Sequence, residues 1–125
     1  MTVTISIPAG YSDAELDALE ADLLAAYSRP EDVEEPTARA VATHVGEAII
    51  ARVGGVWADP VEIGIVDESL SGAEIHALGL DAPVVWREDA GAADVVATAA
   101  RLAVDVREGS WLRALVVSAG AASSA

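Results

Sequence analysis

Charge is spread so unevenly along this chain that only one long stretch suits an interior. Residues 1–35 carry a formal balance of −8 and residues 56–125 one of −7, whereas residues 36–55 hold only Glu47, Arg39 and Arg52 and come to +1. Taking unpaired charge out of water is costly, so the near-neutral middle segment is expected to be buried, with the acidic flanks folded around it. The same segment reads as a helix. Val41, Val45, Ala48, Ile49 and Val53 recur at helical spacing, Pro36 suits a first turn, and Gly54-Gly55 provide a left-handed stop.

The flanks supply shorter elements. Val3, Ile5 and Ile7 alternate with Thr2, Thr4 and Ser6, which predicts a half-buried strand ended by Pro8 and Gly10. Ser12 and Glu15 form a capping box ahead of Leu16, Leu19, Leu23 and Tyr27, predicting a helix over residues 12–28. The acids of that helix, Glu20 among them, are expected mostly on its outer face. Residues 29–36, where two prolines bracket four acids, read as a linker. Val56–Ala58 and Val61–Val66 predict two strands or one interrupted strand, with Val61, Ile63 and Ile65 on one face. Ser71–Leu78 fits either a turn or two of helix or a loose strand. Ala82–Arg87 predicts a strand entered at Pro83. A further helix is expected over residues 92–107, lined by Val95, Ala99, Leu102, Ala103 and Val106. Leu112, Leu115 and Val116 fit a terminal helix, although residues 115–117 also fit a strand.

This order of elements is α+β rather than alternating βαβ. The expected fold is a small, mostly antiparallel sheet packed against three to four helices. It forms one domain over residues 1–118, followed by a frayed tail over residues 119–125. The length of 125 residues allows one core, and a hydrophobic share of 53% can fill it. With no Phe in the chain, Trp57, Trp86 and Trp111 are expected to anchor the interior in its place.

Composition excludes several functions. There is no Cys, hence no disulfide, thiolate metal site or cysteine nucleophile. A net charge of −14 makes nucleic acid a poor partner. The N-terminal residues lack a basic stretch followed by a long apolar one, and the uncharged run at residues 114–125 is too short to span a bilayer, so no membrane association and a cytoplasmic setting are expected. The absence of Lys, Asn and Gln beside 27 Ala points to a GC-rich, actinobacterial genome. No phosphate-binding glycine loop or nucleophile elbow is present, and no cofactor or metal is expected.

Three groups of residues remain as candidates. His44 and Glu47 lie three apart on one helix face, the spacing that acid–base work would use. With Arg52 and Trp57 they define a candidate pocket between the second helix and the sheet. His76 beside Glu74 is the other histidine neighbourhood. Glu31, Asp32, Glu34 and Glu35 form a carboxylate run suited to docking a basic protein, and Trp86 with Arg87 pairs residue types enriched at interface anchors.

The stretch Gly46-Glu47 through Arg52, Gly54-Gly55 and Trp57 resembles small uncharacterised bacterial domains common in actinobacteria. In those, a helix bearing Gly-Glu ends in a Gly-Gly-x-Trp turn into a sheet. The resemblance covers at most residues 37–110; it implies a fold and carries no activity. Two functional readings follow. The first is a non-enzymatic interaction or inhibitor domain of the immunity type, presenting its acids to a basic partner and compatible with a homodimer. The alternative is a small-molecule binding domain or minor enzyme with its pocket around His44 and Glu47.

Overall fold

A computed structural model of the chain describes residues 5, 7–64, 66, 69–88 and 91–124. It contains α1 (Asp13–Ala26), a 3₁₀ turn (Pro30–Asp32), α2 (Glu35–Val53), β1 (Val56–Ala58), α3 (Gly72–Ala77), β2 (Val84–Arg87), β3 (Ala92–Asp94), α4 (Ala99–Val106) and α5 (Trp111–Ser124). The fold is α+β. The three strands form an antiparallel sheet in the order β1-β2-β3. Among the described residues no helix is long and apolar enough to cross a membrane.

The charge-poor segment is the central helix. α2 packs against α4, α5 and β2, while α1 packs against α4 and α5 from the other side. Val41, Val45, Ala48 and Ile49 are fully buried, as are Leu16, Leu19 and Leu23 of α1. Both helix starts follow the sequence. Ser12 Oγ accepts from the Glu15 amide at 3.2 Å and the Glu15 carboxylate reaches back to Gly10 N, 2.8 Å. Pro36 lies in the first turn of α2, and the helix stops at Gly54, φ 80°.

The departures have local causes. The strand expected over residues 2–7 lies mostly outside the described residues; Ile5 and Ile7, which are described, are not in the sheet. In place of the strand expected over residues 61–66, residues 60–64 form turns. The Asp59 carboxylate accepts from Val61 N at 2.8 Å, its carbonyl accepts from Ile63 N, and Gly64 has φ 76°. The helix expected from residue 92 begins instead at Ala99. Residues 92–94 turn back as β3 after Gly91, φ 60°, with Arg87 opposite Ala92 and Val85 opposite Asp94. This later start rotates α4 so that Ala99, Ala100, Ala103 and Val104 face inward and leaves Leu102 and Val106 exposed. Residues 111–124 form one helix, which continues past residue 118 and buries Ala119.

The interior is aliphatic. Its largest fully buried side chains are Leu and Ile, and no tryptophan is among them; Trp57, Trp86 and Trp111 sit at the core's margin. Glu20, expected on the outer face of α1, is completely buried, and its Oε1 accepts from Leu112 N at 2.7 Å in the first turn of α5. A carboxylate at a helix N-terminus satisfies an amide the helix cannot and opposes its dipole favourably.

Arg87 is also buried, at 2% exposure. Its Nε and Nη2 reach Asp94 Oδ2, each at 3.0 Å, and Nη1 donates to Ala119 O at 2.8 Å. One side chain thus ties β2 to β3 and the sheet to α5. Removing one partner of a buried pair strands the other. Arg87→Met is expected to lower unfolding free energy by about 3–5 kcal/mol, and Arg87→Met with Asp94→Ala by less than the single change. Urea denaturation of the three proteins checks this.

Candidate functional site

A cleft of about 590 Å³ lies between α2, the segment from His76 to Pro83, and the start of α4. Helical periodicity places Glu35, Arg39, Ala42 and Thr43 on the α2 wall, at spacings of three, four and eight that share a face. Gly79, Ala82, Pro83, Val96 and Ala97 line the opposite side. Trp57 closes one end.

Trp57 is positioned by a glycine. A Cβ on Gly46 would lie 2.1 Å from Trp57 Cη2, so the indole rests directly on the backbone of α2. Its Nε1 donates to Glu47 Oε1 at 3.3 Å. The Gly-Glu and Gly-Gly-x-Trp spacing is therefore a packing device. Gly46 admits the ring, Glu47 holds its polar edge, and Gly54 and Gly55, both at positive φ, turn the chain so that β1 delivers it.

His76 is positioned by a cap. Ser71 Oγ accepts from Glu74 N at 3.2 Å and starts α3. At its end, Leu80 N bonds Ile75 O and Gly79 N bonds His76 O, the paired bonds of a Schellman turn with Gly79 at φ 73°. That reversal brings Asp81 back onto the helix, where its Oδ2 lies 2.5 Å from His76 Nδ1. Hydrogen bonding to the Asp81 carboxylate, and then its charge, push the His76 pKa above the usual imidazole value.

Two guanidiniums share the other end. Glu35 Oε2 lies 3.2 Å from Arg101 Nη2, and Glu35 Oε1 lies 4.0 Å from Arg39 Nη2. Arg101 Nη2 also donates to Val33 O at 3.0 Å, which fixes α4 against the 3₁₀ turn. The cleft holds no serine. Its hydroxyls are Thr43, whose Oγ1 donates to Arg39 O at 3.0 Å, and Thr98. Among the described residues no group of three His, Asp or Glu side chains is arranged to hold a metal ion. The arrangement can bind and orient through cations and apolar walls.

The candidates read from sequence are dispersed. Of His44, Glu47, Arg52 and Trp57, only Trp57 lines the cleft. His44 is buried under Tyr11, ring centroids 4.9 Å apart, with Nε2 lacking a hydrogen-bond partner. Arg52 donates to Tyr11 O and Asp13, both at 2.8 Å. The four therefore form no common pocket, because residues 10–13 cover the face of α2 that carries His44. In the carboxylate run, Glu31 and Asp32 pair with Arg29, Glu34 accepts from Tyr27, and Glu35 belongs to the cleft. Trp86 is half-buried and Arg87 buried, so Arg87 serves the interior rather than an interface. Arg39, His76, Asp81 and Arg101 converge only through tertiary structure, although a glycine placed after the helical pattern of residues 71–78 is a sequence signal for the return of Asp81 towards His76.

Comparison with known protein families, curated proteins and solved structures finds no match.

The two histidines impose opposite pH dependences. Burial pushes the His44 pKa below the ordinary value of 6.5, so the unfolded chain takes up the proton first and stability falls as pH drops below that value. His76 has a raised pKa, so its contribution is fully present below pH 6.5 and is lost as pH rises through its folded pKa. In urea midpoints measured across this range, His44→Phe is expected to flatten the acid limb and His76→Gln the alkaline limb.

Proposed function

We propose that this chain is a small-molecule binding domain whose ligand occupies the cleft between α2, the segment from His76 to Pro83, and the start of α4. The observation that carries the reading is the cleft itself. Its volume, about 590 Å³, falls within the range of small-ligand sites. Its walls combine apolar surface from Trp57, Pro83 and Val96 with a few convergent polar groups, the composition such sites share. The ligand site thus lies elsewhere than around His44 and Glu47.

The test is occlusion. Ala97 is half-buried in the loop before α4 and faces the cleft. Ala97→Trp is expected to leave the fold intact and to abolish the shifts that a mixed fragment library produces at the Trp57 indole N–H in NMR spectra. Shifts that survive the substitution, or that scatter away from the cleft, would remove the proposal.

A second reading, an acidic domain docking a basic protein, is favoured by one observation. Glu31 and Asp32 keep side-chain exposures of 62% and 42% and, among the described residues, pair with the exposed Arg29. Reversing these two charges leaves the cleft untouched, unlike changes at Glu34 or Glu35. On this reading Glu31→Lys with Asp32→Lys slows association with a basic partner captured at low salt by about tenfold or more, and the loss shrinks as salt is added. An unchanged association rate in stopped-flow mixing would exclude it.

A further inference from the structure

We infer that the ligand of this cleft is an organic anion, with a single carboxylate seated between Arg39 and Arg101 and an apolar body lying along Trp57, Pro83 and Val96. The inference rests on the ligand-binding reading and narrows it to one chemical class.

The arrangement of the arginines carries the argument. Three of the chain's arginines are committed to the fold: Arg52, Arg87 and Arg107 all donate to main-chain carbonyls. Arg101 and Arg39 are committed less completely. Arg101 makes both of its contacts through Nη2, and among the described residues its Nη1 and Nε have no partner. Arg39 touches Glu35 only at 4.0 Å, with 75% of its side chain exposed. Because Glu35 offers one oxygen to each, the two guanidiniums flank the same carboxylate at the cleft's edge. A planar fork of N–H donors matches the paired oxygens of a carboxylate or a phosphate, and the single local surplus charge suits the carboxylate.

The charge balance inside the cleft agrees. At that end of the cleft two guanidiniums, Arg39 and Arg101, flank the one carboxylate of Glu35, a local surplus of one positive charge in a chain whose net charge is −14. A monocarboxylate neutralises that surplus, whereas a polyphosphate exceeds it. An amine would have to displace a cation from Glu35 or Asp81, both already paired. Beyond the charged end, the exposed part of Trp57 (36% of the residue) offers an aromatic wall, and the opposite side is built of small and apolar residues. This shape takes an aryl or alkyl body.

The experiment uses the full chain and a fragment library made of aryl carboxylates, the matching arylmethylamines and the matching primary amides in equal shares. Binding is read at the Trp57 indole N–H and at the Thr43 and Thr98 amides. Carboxylates are expected to dominate the hits. Arg39→Gln, at an exposed and loosely paired position, should weaken the best carboxylate by about tenfold, the worth of one charge-assisted hydrogen bond, and leave its amide counterpart unchanged. Equal binding of all three classes, or a preference for amines, would overturn the anion inference and leave the ligand-binding reading standing. Carboxylate binding insensitive to Arg39→Gln would overturn the proposed seat. No response to any class would overturn both readings together.

Discussion

Seven arginines must hold together a chain with 21 acids and no lysine, and the fold depends on how they are used. Four of them reach main-chain carbonyls far away in sequence. Arg107, itself in the left-handed conformation that ends α4, donates to Leu24 O and Tyr27 O at 2.8 Å. α1 has no basic residue in its last turn, so a cation from another helix meets the negative end of its dipole. Arg101 ties α4 to the 3₁₀ turn, Arg52 ties α2 to the start of α1, and Arg87 joins β2, β3 and α5. Only a guanidinium has enough donors in one plane to serve two acceptors this way. The contacts of Arg87 are buried or partly so, as are those of Arg101 to Val33 O and Arg107 to Tyr27 O, and salt screens these less than surface pairs.

The interior complements this scheme. Alanine forms much of the buried face of α4, and Ala38, Ala42 and Ala48 lie on the buried side of α2. Small side chains let helices approach closely where they touch and leave volume where they do not. The cleft belongs to the second case, since Ala42, Gly79, Ala82 and Ala97 line it without filling it. A bare Gly79 matters twice over. Its positive φ closes α3, and a Cβ there would lie 3.0 Å from Val95 Cγ1, so the loop before α4 can press against the turn.

What the sequence made legible follows from the range of the interactions involved. α1 and α2 could be read because their caps and apolar stripes are local: Ser12 meets Glu15 within one turn, and Gly54 ends α2 with its own φ. β3 was hidden, since residues 92–94 are good helix formers in isolation and pair as a strand only because Gly91 reverses the chain and Arg87 binds Asp94. The inward turn of Glu20 was equally hidden, its partner Leu112 being 92 residues away. His44 and Glu47 share a face by spacing, but spacing says nothing of Tyr11 folding over one while Trp57 takes the other. The cleft was illegible for the same reason, as its basic side chains come from α2, α3 and α4.

Exterior and cleft therefore present opposite electrostatics at different distances. The acids of the surface act on an approaching molecule over roughly a Debye length, about 8 Å at physiological ionic strength, and there they repel anions. Arg39 and Arg101 act at contact, where water is partly displaced and each interaction is stronger. A ligand that is anionic at one end and apolar along its body meets the weak repulsion first and the strong attraction last. Its affinity then rests on slow release rather than fast capture. Polyanions such as nucleic acids meet the repulsion along their whole length. On the proposed reading, the acidic surface and the cleft act together: the bulk charge disfavours large anions, and the two guanidiniums at the cleft's edge admit a small one.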